Sequence, residues 1–282
     1  MRLSGIADEA GKPVEAQVEA HKKLGWTLIE PRTVGTANFS RIPDDEFEQA
    51  CAKLRDAGIG VSCFASEIAN WARKISGDFS LDEEDLKRSI PRMQKLNTRF
   101  IRVMSYPNDG WDDAAWEKEA VRRLRELTKM AEDAGIILAH ENCNGWGEEP
   151  ERCLGLIEEI NSPAFKMLFD TGNPVAHDQN SRDFYNTVKK HIVYVHIKDA
   201  KKTGDKQVYT YPGEGDGHVK EIVADLKQSG YEGVLSIEPH LSAIIHEAKE
   251  AGNPEKAMEV YVEYGRKLER IVSGESCCSA CA

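Results

Sequence analysis

The length, composition and charge of the chain narrow the class of protein. The chain has 282 residues, which is enough to bury a sizeable core in one domain. With 37 basic and 48 acidic residues its formal net charge is −11, which argues against a general binder of nucleic acid or of anionic membranes. No transmembrane run and no signal-type apolar stretch is visible, so we predict a cytoplasmic protein.

The cysteines favour a reducing compartment. There are seven of them, an odd number without zinc-finger spacing, which is typical of free thiols. Cys277, Cys278 and Cys281 follow the point where helical periodicity stops. We therefore expect one domain over residues 1–273 and a disordered, cysteine-containing tail over 274–282, to which we assign no function.

Apolar patterning predicts eight strands that alternate with eight helices. The strands are expected at 2–8, 27–31, 60–65, 100–105, 136–141, 166–170, 192–197 and 234–238. Helices are expected at 14–24, 44–57, 82–96, 113–134, 150–160, 181–189, 218–229 and 253–272. Several strands are almost continuously apolar, as parallel strands buried on both faces are. Four of the helices end at a glycine that can cap them: Gly25, Gly58, Gly135 and Gly230.

Eight strand-helix units in a chain of this size predict a closed (β/α)8 TIM barrel rather than an open doubly wound sheet. The first strand is followed by Asp8-Glu9-Ala10-Gly11-Lys12, which is not the glycine-rich turn of a dinucleotide site. Residues 213–217 are glycine-rich but lack a Gly-Lys-Ser/Thr ending, and we interpret them as part of a mobile lid.

Four of the predicted strands end with a residue that can bind a hard metal ion. These residues are Glu141, Asp170, His196 and Glu238. The carboxyl ends of barrel strands converge on one face, so three carboxylates and one imidazole should meet there. Each residue alone is commonly a helix cap, a surface charge or a hydrogen-bonded core group. Together they would crowd like charges without a cation, which favours a site for Mn²⁺ or Mg²⁺, with Co²⁺ or Zn²⁺ as alternatives.

Two further segments accompany the short segments around these four residues: Pro212-Gly213-Glu214-Gly215-Asp216 and Gly230-Tyr231-Glu232-Gly233. Together, these segments resemble the xylose-isomerase-like TIM-barrel superfamily. The resemblance is to its sugar phosphate isomerase/epimerase branch and runs from the first strand to the eighth helix. It implies that Glu141, Asp170, His196 and Glu238 bind one divalent metal ion, often Mn²⁺. It also implies that Glu141 and Glu238 carry protons on opposite faces of an enediolate.

The chemistry supports that assignment independently of the resemblance. A divalent ion chelated by a carbonyl and an adjacent hydroxyl stabilises the enediolate that forms when the neighbouring C–H loses its proton. A carboxylate has to accept and return that proton, so Glu141 and Glu238 are the catalytic candidates. Either one can equally be a metal ligand alone.

Four further residues are candidates for contacting a substrate. Lys198 lies two positions beyond His196, so it faces the same side of the strand and can anchor an oxyanion or a sugar hydroxyl; a solvated lysine is the alternative. His240 follows Glu238 in a loop. Asn142 and Trp146 follow Glu141, and the indole either packs on a sugar ring or belongs to the core.

Two departures from the family pattern limit the choice of activity. Epimerase and apurinic-site endonuclease relatives commonly carry a histidine three residues after the aspartate, where this chain has Asn173. The endonucleases use further histidines for three zinc ions, and residues 60–65 supply none. Together with the acidic charge, this argues against DNA repair.

The sequence therefore predicts a metal-dependent isomerase or epimerase that acts on a small sugar or sugar derivative. The alternative is a lyase on the same scaffold, such as an inosose or dehydroshikimate dehydratase or an enzyme that eliminates a group from a 3-keto sugar. A non-catalytic sugar-binding barrel is disfavoured because all four ligands are present. The connection 200–217 exceeds the usual βα loop, so we expect it to cover the metal face or to meet another subunit of a homo-oligomer.

Overall fold

A computed structural model describes residues 1–204, 206–241 and 254–275. Each predicted strand and helix overlaps one in these ranges, but the first strand stops at Gly5 rather than Asp8, and four short strands and a four-residue helix were not predicted. The strands are β1 (Arg2–Gly5), β2 (Leu28–Ile29), β3 (Thr33–Val34), β4 (Ala37–Asn38), β5 (Gly60–Val61), β6 (Cys63–Phe64), β7 (Phe100–Ser105), β8 (Ile137–Gly145), β9 (Phe165–Asp170), β10 (Ile192–Ile197), β11 (Ala200–Thr203), β12 (Lys206–Tyr209) and β13 (Val234–Ile237).

The helices lie between the barrel strands and after the last of them. They are α1 (Val14–Leu24), α2 (Asp44–Asp56), α3 (Ser80–Lys95), α4 (Asp113–Ala134), α5 (Pro150–Ile160), α6 (Asn173–Ala176), α7 (Ser181–Val188), α8 (Val219–Gln228) and α9 (Pro254–Ser273). Within the described ranges, no helix combines the length and the apolar character that crossing a membrane requires. The predicted tail begins after α9, and residues 276–282 lie outside the described residues.

The parallel strands close into the predicted barrel. Seven strands pair in the order β1, β13, β10, β9, β8, β7, β6. β2, the second strand of the barrel, pairs with β5. β5 and β6 follow each other in the chain and together form the third strand of the barrel. The ring closes where the backbone N–H of Glu30 donates to the carbonyl of Gly5 at 3.0 Å. Every barrel strand therefore points its carboxyl end to the same face.

Capping and burial explain why the helices form where they do. The side chain of Asp112 accepts a hydrogen bond from the N–H of Ala115 at 2.9 Å and so caps the start of α4. The helix ends at Gly135, whose φ of 69° is the left-handed conformation that glycine adopts without strain. The face of α4 that carries Leu124 and Leu127 is fully buried against the barrel.

The long connection after β10 consists of two different parts. Its first part is an antiparallel hairpin of β11 and β12. In its second part, the N–H groups of Gly213, Gly215 and Gly217 donate to the carboxylate of Asp199 at 2.8, 3.0 and 2.9 Å. A carboxylate of the chain itself thus occupies the amides that a phosphate-binding glycine loop would offer. These hydrogen bonds hold residues 213–217 against the end of β10. The more exposed part of the connection is the hairpin of β11 and β12.

Candidate metal centre

The carboxyl ends of four neighbouring strands bring the four predicted ligands together. Glu141 lies in β8, Asp170 ends β9, His196 lies in β10 and Glu238 directly follows β13. Their ligand atoms lie within 4.8 Å of one another, and all four side chains are buried. The cluster joins residues that are up to 97 positions apart in the chain, so the fold itself creates it.

The donor atoms in this cluster fit a divalent cation. Nδ1 of His196 lies 3.1 Å from Oε1 of Glu141, 3.6 Å from Oε2 of Glu238 and 3.9 Å from Oδ2 of Asp170. All three carboxylates are buried, and within the described residues their charge is balanced by His196 and by neighbouring basic side chains. Because three carboxylates buried this close together repel one another, this set of three oxygens and one imidazole nitrogen suits a hard or borderline metal ion.

Three basic side chains also border the cluster. Nζ of Lys198 lies 2.7 Å from Oε2 of Glu238 and 3.1 Å from Oδ2 of Asp170. Nη1 of Arg32 lies 2.8 Å from Oε1 of Glu238. Nη1 of Arg102 lies 3.5 Å from Oε2 of Glu141. The centre therefore contains positive charge that can stabilise an anionic substrate oxygen as well as the ligands themselves.

The neighbouring charges perturb the protonation of the candidate ligands. Burial alone raises the pKa of Glu141, but the guanidinium of Arg102 and the imidazole of His196 bring it down to about 2. Burial lowers the pKa of His196, yet the carboxylates of Glu30 and Glu141 raise it to about 10. Burial also raises the pKa of Asp170, against the effect of Lys198. The pKa of each of these groups therefore depends on the charges of its neighbours on other strands of the barrel.

Asn142 and Asn173 organise the backbone around Asp170. The side-chain amide of Asn142 accepts from the N–H of Asp170 at 2.7 Å and donates to its carbonyl at 3.0 Å. Asn173 donates its own N–H to Oδ1 of Asp170 at 2.8 Å and accepts from Nζ of Lys198 at 3.1 Å. Since both ends of the Asn142 amide bind backbone, its predicted contact with substrate stays a prediction.

Trp146 and His240 have different surroundings. Trp146 is buried, with the ring of Trp116 edge-on at 5.1 Å and the guanidinium of Arg152 over its face at 4.4 Å, which matches the core alternative. His240 is partly exposed and places Nε2 3.1 Å from Oε1 of Glu238. Its ring also lies 5.0 Å from the ring of Tyr209, at the end of β12. The hairpin thus reaches a residue that contacts a candidate ligand.

Three residues of this centre were not predicted from the sequence as ligands, catalysts or substrate contacts. Arg102 interrupts the apolar strand β7, and such a lone buried charge is a signal that can be read from sequence. Arg32 lies just beyond the two-residue strand β2 and is fixed by Asp8, whose two carboxylate oxygens accept from it at 3.0 Å each. Glu30 directly follows β2, as Glu238 follows β13, but it contacts Nε2 of His196, on the side of the ring away from the cluster.

Comparison with known proteins agrees with the fold. A family model described as "xylose isomerase-like TIM barrel" matches residues 18–264. This match covers most of the chain, and the chain belongs to that family. The resemblance and the barrel that were predicted from the sequence are thereby confirmed.

Individual relatives include named sugar epimerases. The chain is 27% identical over 183 residues to a 2-epi-5-epi-valiolone 7-phosphate 2-epimerase of Actinoplanes sp., a match that covers 64% of this chain and 65% of that protein, less than two thirds of its length. It is 32% identical to the L-ribulose-5-phosphate 3-epimerase UlaE of Escherichia coli, over 81% of this chain and 83% of that protein.

The fold is also similar to that of solved structures. A xylose isomerase-like TIM barrel protein of Mycobacterium smegmatis, crystallised in complex with magnesium, has a TM-score of 0.69 and 17% identity, over 96% of this chain and 97% of that one. At this identity the similarity concerns the fold.

Proposed function

We propose that the protein is a divalent-metal-dependent isomerase or epimerase of a small sugar or sugar derivative. The observation that carries the proposal is the buried cluster of Glu141, Asp170, His196 and Glu238, whose ligand atoms lie within 4.8 Å of one another. We propose these four residues as the ligands of one ion, with Mn²⁺ as the first candidate and Mg²⁺, Co²⁺ or Zn²⁺ as alternatives. The sugar epimerases among the relatives support the substrate class.

In the proposed reaction, Glu141 and Glu238 move a proton. One carboxylate accepts the proton from the carbon next to the substrate carbonyl, and the C–H electron pair forms the double bond of an enediolate. Return of a proton to the opposite face of that carbon gives the epimer, and return to the neighbouring carbon gives the isomer. A bound divalent ion would act as a Lewis acid on the substrate carbonyl.

Lys198 and the two arginines assist by charge. The ammonium of Lys198 lies beside Glu238 and Asp170, where it can donate a hydrogen bond to the developing enediolate oxygen. Arg32 and Arg102 keep the flanking glutamates ionised, as a proton acceptor must be. His240 and Tyr209, the last residue of the hairpin, border the same site and are proposed to contact the substrate.

Metal analysis tests the binding part of this proposal. We expect about one tightly held divalent ion per chain, and loss of most of it in His196→Ala because an imidazole ligand is removed. Lys202→Ala, which changes a partly exposed side chain on the hairpin, is the matched control and should retain the ion. Absence of a bound ion under saturating Mn²⁺ would overturn the site.

Deuterium exchange tests the reaction. The Mn²⁺-loaded protein is incubated in D₂O with ketoses, keto-inositols and 3-keto-glycosides. Deuterium uptake without loss of mass supports isomerisation or epimerisation, whereas loss of water or of an aglycone identifies the lyase alternative. The two reactions share the first proton transfer and differ in whether a group leaves from the neighbouring carbon. The cytoplasmic location stays a prediction.

A further inference from the structure

We propose that Glu30 is a positioning residue that holds His196 with its Nε2 protonated and its Nδ1 directed at the metal. This inference rests on the metal site proposed above and adds a residue outside the set of four ligands. Glu30 is fully buried at the end of β2, 166 positions before His196 in the chain.

The two nitrogens of the His196 ring face different carboxylates. Nδ1 points into the cluster, 3.1 Å from Oε1 of Glu141. Nε2 lies 3.0 and 3.1 Å from the two oxygens of Glu30, on the other side of the ring. A neutral imidazole carries one N–H, and a nitrogen that binds a metal ion cannot carry it. Since Glu30 offers only acceptors, the N–H belongs on Nε2, and the lone pair of Nδ1 is left for the ion.

A chain of buried hydrogen bonds fixes Glu30 in this orientation. The hydroxyl of Tyr194 donates to Oε2 of Glu30 at 2.8 Å and lies 2.9 Å from Oγ of Ser62. Oγ of Ser62 lies in turn 2.7 Å from Oγ of Ser4, in β1. All four side chains are buried, so the chain crosses the barrel interior from β1 to β10. A network of this kind in a low-dielectric interior restricts the rotation of each member.

Loss of the Glu30 carboxylate should release the ring of His196. Nε2–H would then be buried without a charged acceptor, and the tautomer with the proton on Nδ1 would compete. That tautomer directs a proton at the ligand oxygens and cannot bind the ion. Changing such a partner of a metal-binding histidine typically weakens metal affinity about 10–100-fold.

The affinity for Mn²⁺, measured by isothermal titration calorimetry without any substrate, tests this role. Glu30→Gln keeps the shape of the side chain but loses the charge, and we expect its Kd to rise about 10–100-fold. Glu269→Gln is the matched control, because Glu269 also accepts from a ring N–H, that of Trp26 at 2.8 Å, but lies on α9 outside this hydrogen-bond chain; its Kd should stay within about threefold of wild type. Wild-type affinity in a folded Glu30→Gln protein would overturn the proposal.

A second measurement uses the wild-type protein and does not depend on a variant that folds. Imidazole ¹⁵N NMR of the Mg²⁺-loaded protein reports which ring nitrogen carries the proton, and the His196 signals are assigned by their loss in His196→Gln. We expect protonation of Nε2; a proton on Nδ1 would overturn the assignment. Tight metal binding without sugar turnover would leave this role standing and overturn only the proposed activity, whereas a wild-type protein that binds no ion would overturn both.

Discussion

The ammonium nitrogen of Lys198 lies 2.7 Å from Oε2 of Glu238, and this contact joins the ends of β10 and β13. The same nitrogen lies 3.1 Å from Oδ2 of Asp170 and donates to Oδ1 of Asn173 at 3.1 Å. Burial opposes the charged form, but these carboxylates raise the pKa of Lys198 well above its usual value. A permanent cation is therefore held beside a candidate proton acceptor.

Replacement of this cation should slow the reaction without releasing the metal. In Lys198→Met, we expect turnover to fall by about 10²–10³-fold, because the enediolate oxygen loses a preorganised donor. Metal content, measured on the same preparation, should remain that of wild type, since Lys198 is not a ligand. Lys202→Met, on the hairpin, is the control and should turn over normally. Wild-type turnover in Lys198→Met would assign stabilisation of the oxyanion to another group.

Tyr209 should matter for substrate binding more than for the chemical step. Its ring packs against His240 at the border of the site, so Tyr209→Ala removes part of the cover that the hairpin provides. We expect KM to rise by about threefold to tenfold, with a smaller change in kcat. This pattern is expected when a contact that the substrate and the transition state share equally is removed. Val208→Ala changes the adjacent, exposed residue of the hairpin and is the control. Steady-state kinetics identical to wild type in Tyr209→Ala would argue against a covering role.

The barrel and the clustering of the four candidate ligands were predictable because their signals are local. Each long barrel strand is an apolar run, and four such runs end in a carboxylate or imidazole that the barrel geometry must bring together. The helices were predictable for the same reason, since periodicity and terminal glycines mark their ends. Gly135, for example, has the positive φ that its position after α4 indicated.

The partners of the ligands were not predictable, because they depend on contacts across the barrel. Glu30 follows a two-residue strand, and nothing near it in sequence indicates that it faces His196. Asn142 was considered for substrate binding by its place in a motif, but its amide binds the backbone of the next strand. The direction in which a polar side chain forms its hydrogen bonds is set by neighbours from other strands, which a single sequence does not specify.

A buried histidine outside the candidate metal centre should make stability depend on pH. His21 lies in the core against Trp26, and its Nε2 is 3.1 Å from the hydroxyl of Tyr261. Burial lowers its pKa from 6.5 to about 4. Between pH 4 and 6.5, His21 therefore binds a proton in the unfolded chain but not in the folded protein. Above pH 6.5 His21 does not reduce the free energy of unfolding, and at lower pH it reduces it, by about 3 kcal/mol at pH 4.

Urea unfolding of the metal-free protein between pH 4 and 7 measures this effect. In His21→Gln the titrating group is absent, so its free energy of unfolding should fall less steeply with decreasing pH than that of wild type. His177→Gln, at a partly exposed position, controls for the loss of a histidine as such. Equal pH dependence of His21→Gln and wild type would show that other groups account for acid sensitivity.

Glutamine substitution distinguishes the metal-binding role of Glu141 and Glu238 from proton transfer. An amide keeps an oxygen for the ion but cannot accept a proton, so the metal-replete variant of a catalytic base should remain slow by about 10²-fold or more. A variant that has lost only a ligand should recover most of its rate in excess Mn²⁺. We expect Glu238 to behave as the base. Lys198, Arg32 and His240 all contact it, and their hydrogen bonds to its carboxylate can rearrange when it accepts the proton.

The measurement is the steady-state rate against Mn²⁺ concentration, together with deuterium exchange of the bound substrate. Glu238→Gln should still bind substrate while its exchange rate falls with turnover, since the oxygens that contact the ion remain. Glu141→Gln serves as the comparison on the opposite flank of the cluster, next to Arg102. Near-complete recovery of both variants by Mn²⁺ would place the proton acceptor elsewhere, and His240, 3.1 Å from Glu238, would be the residue to change next.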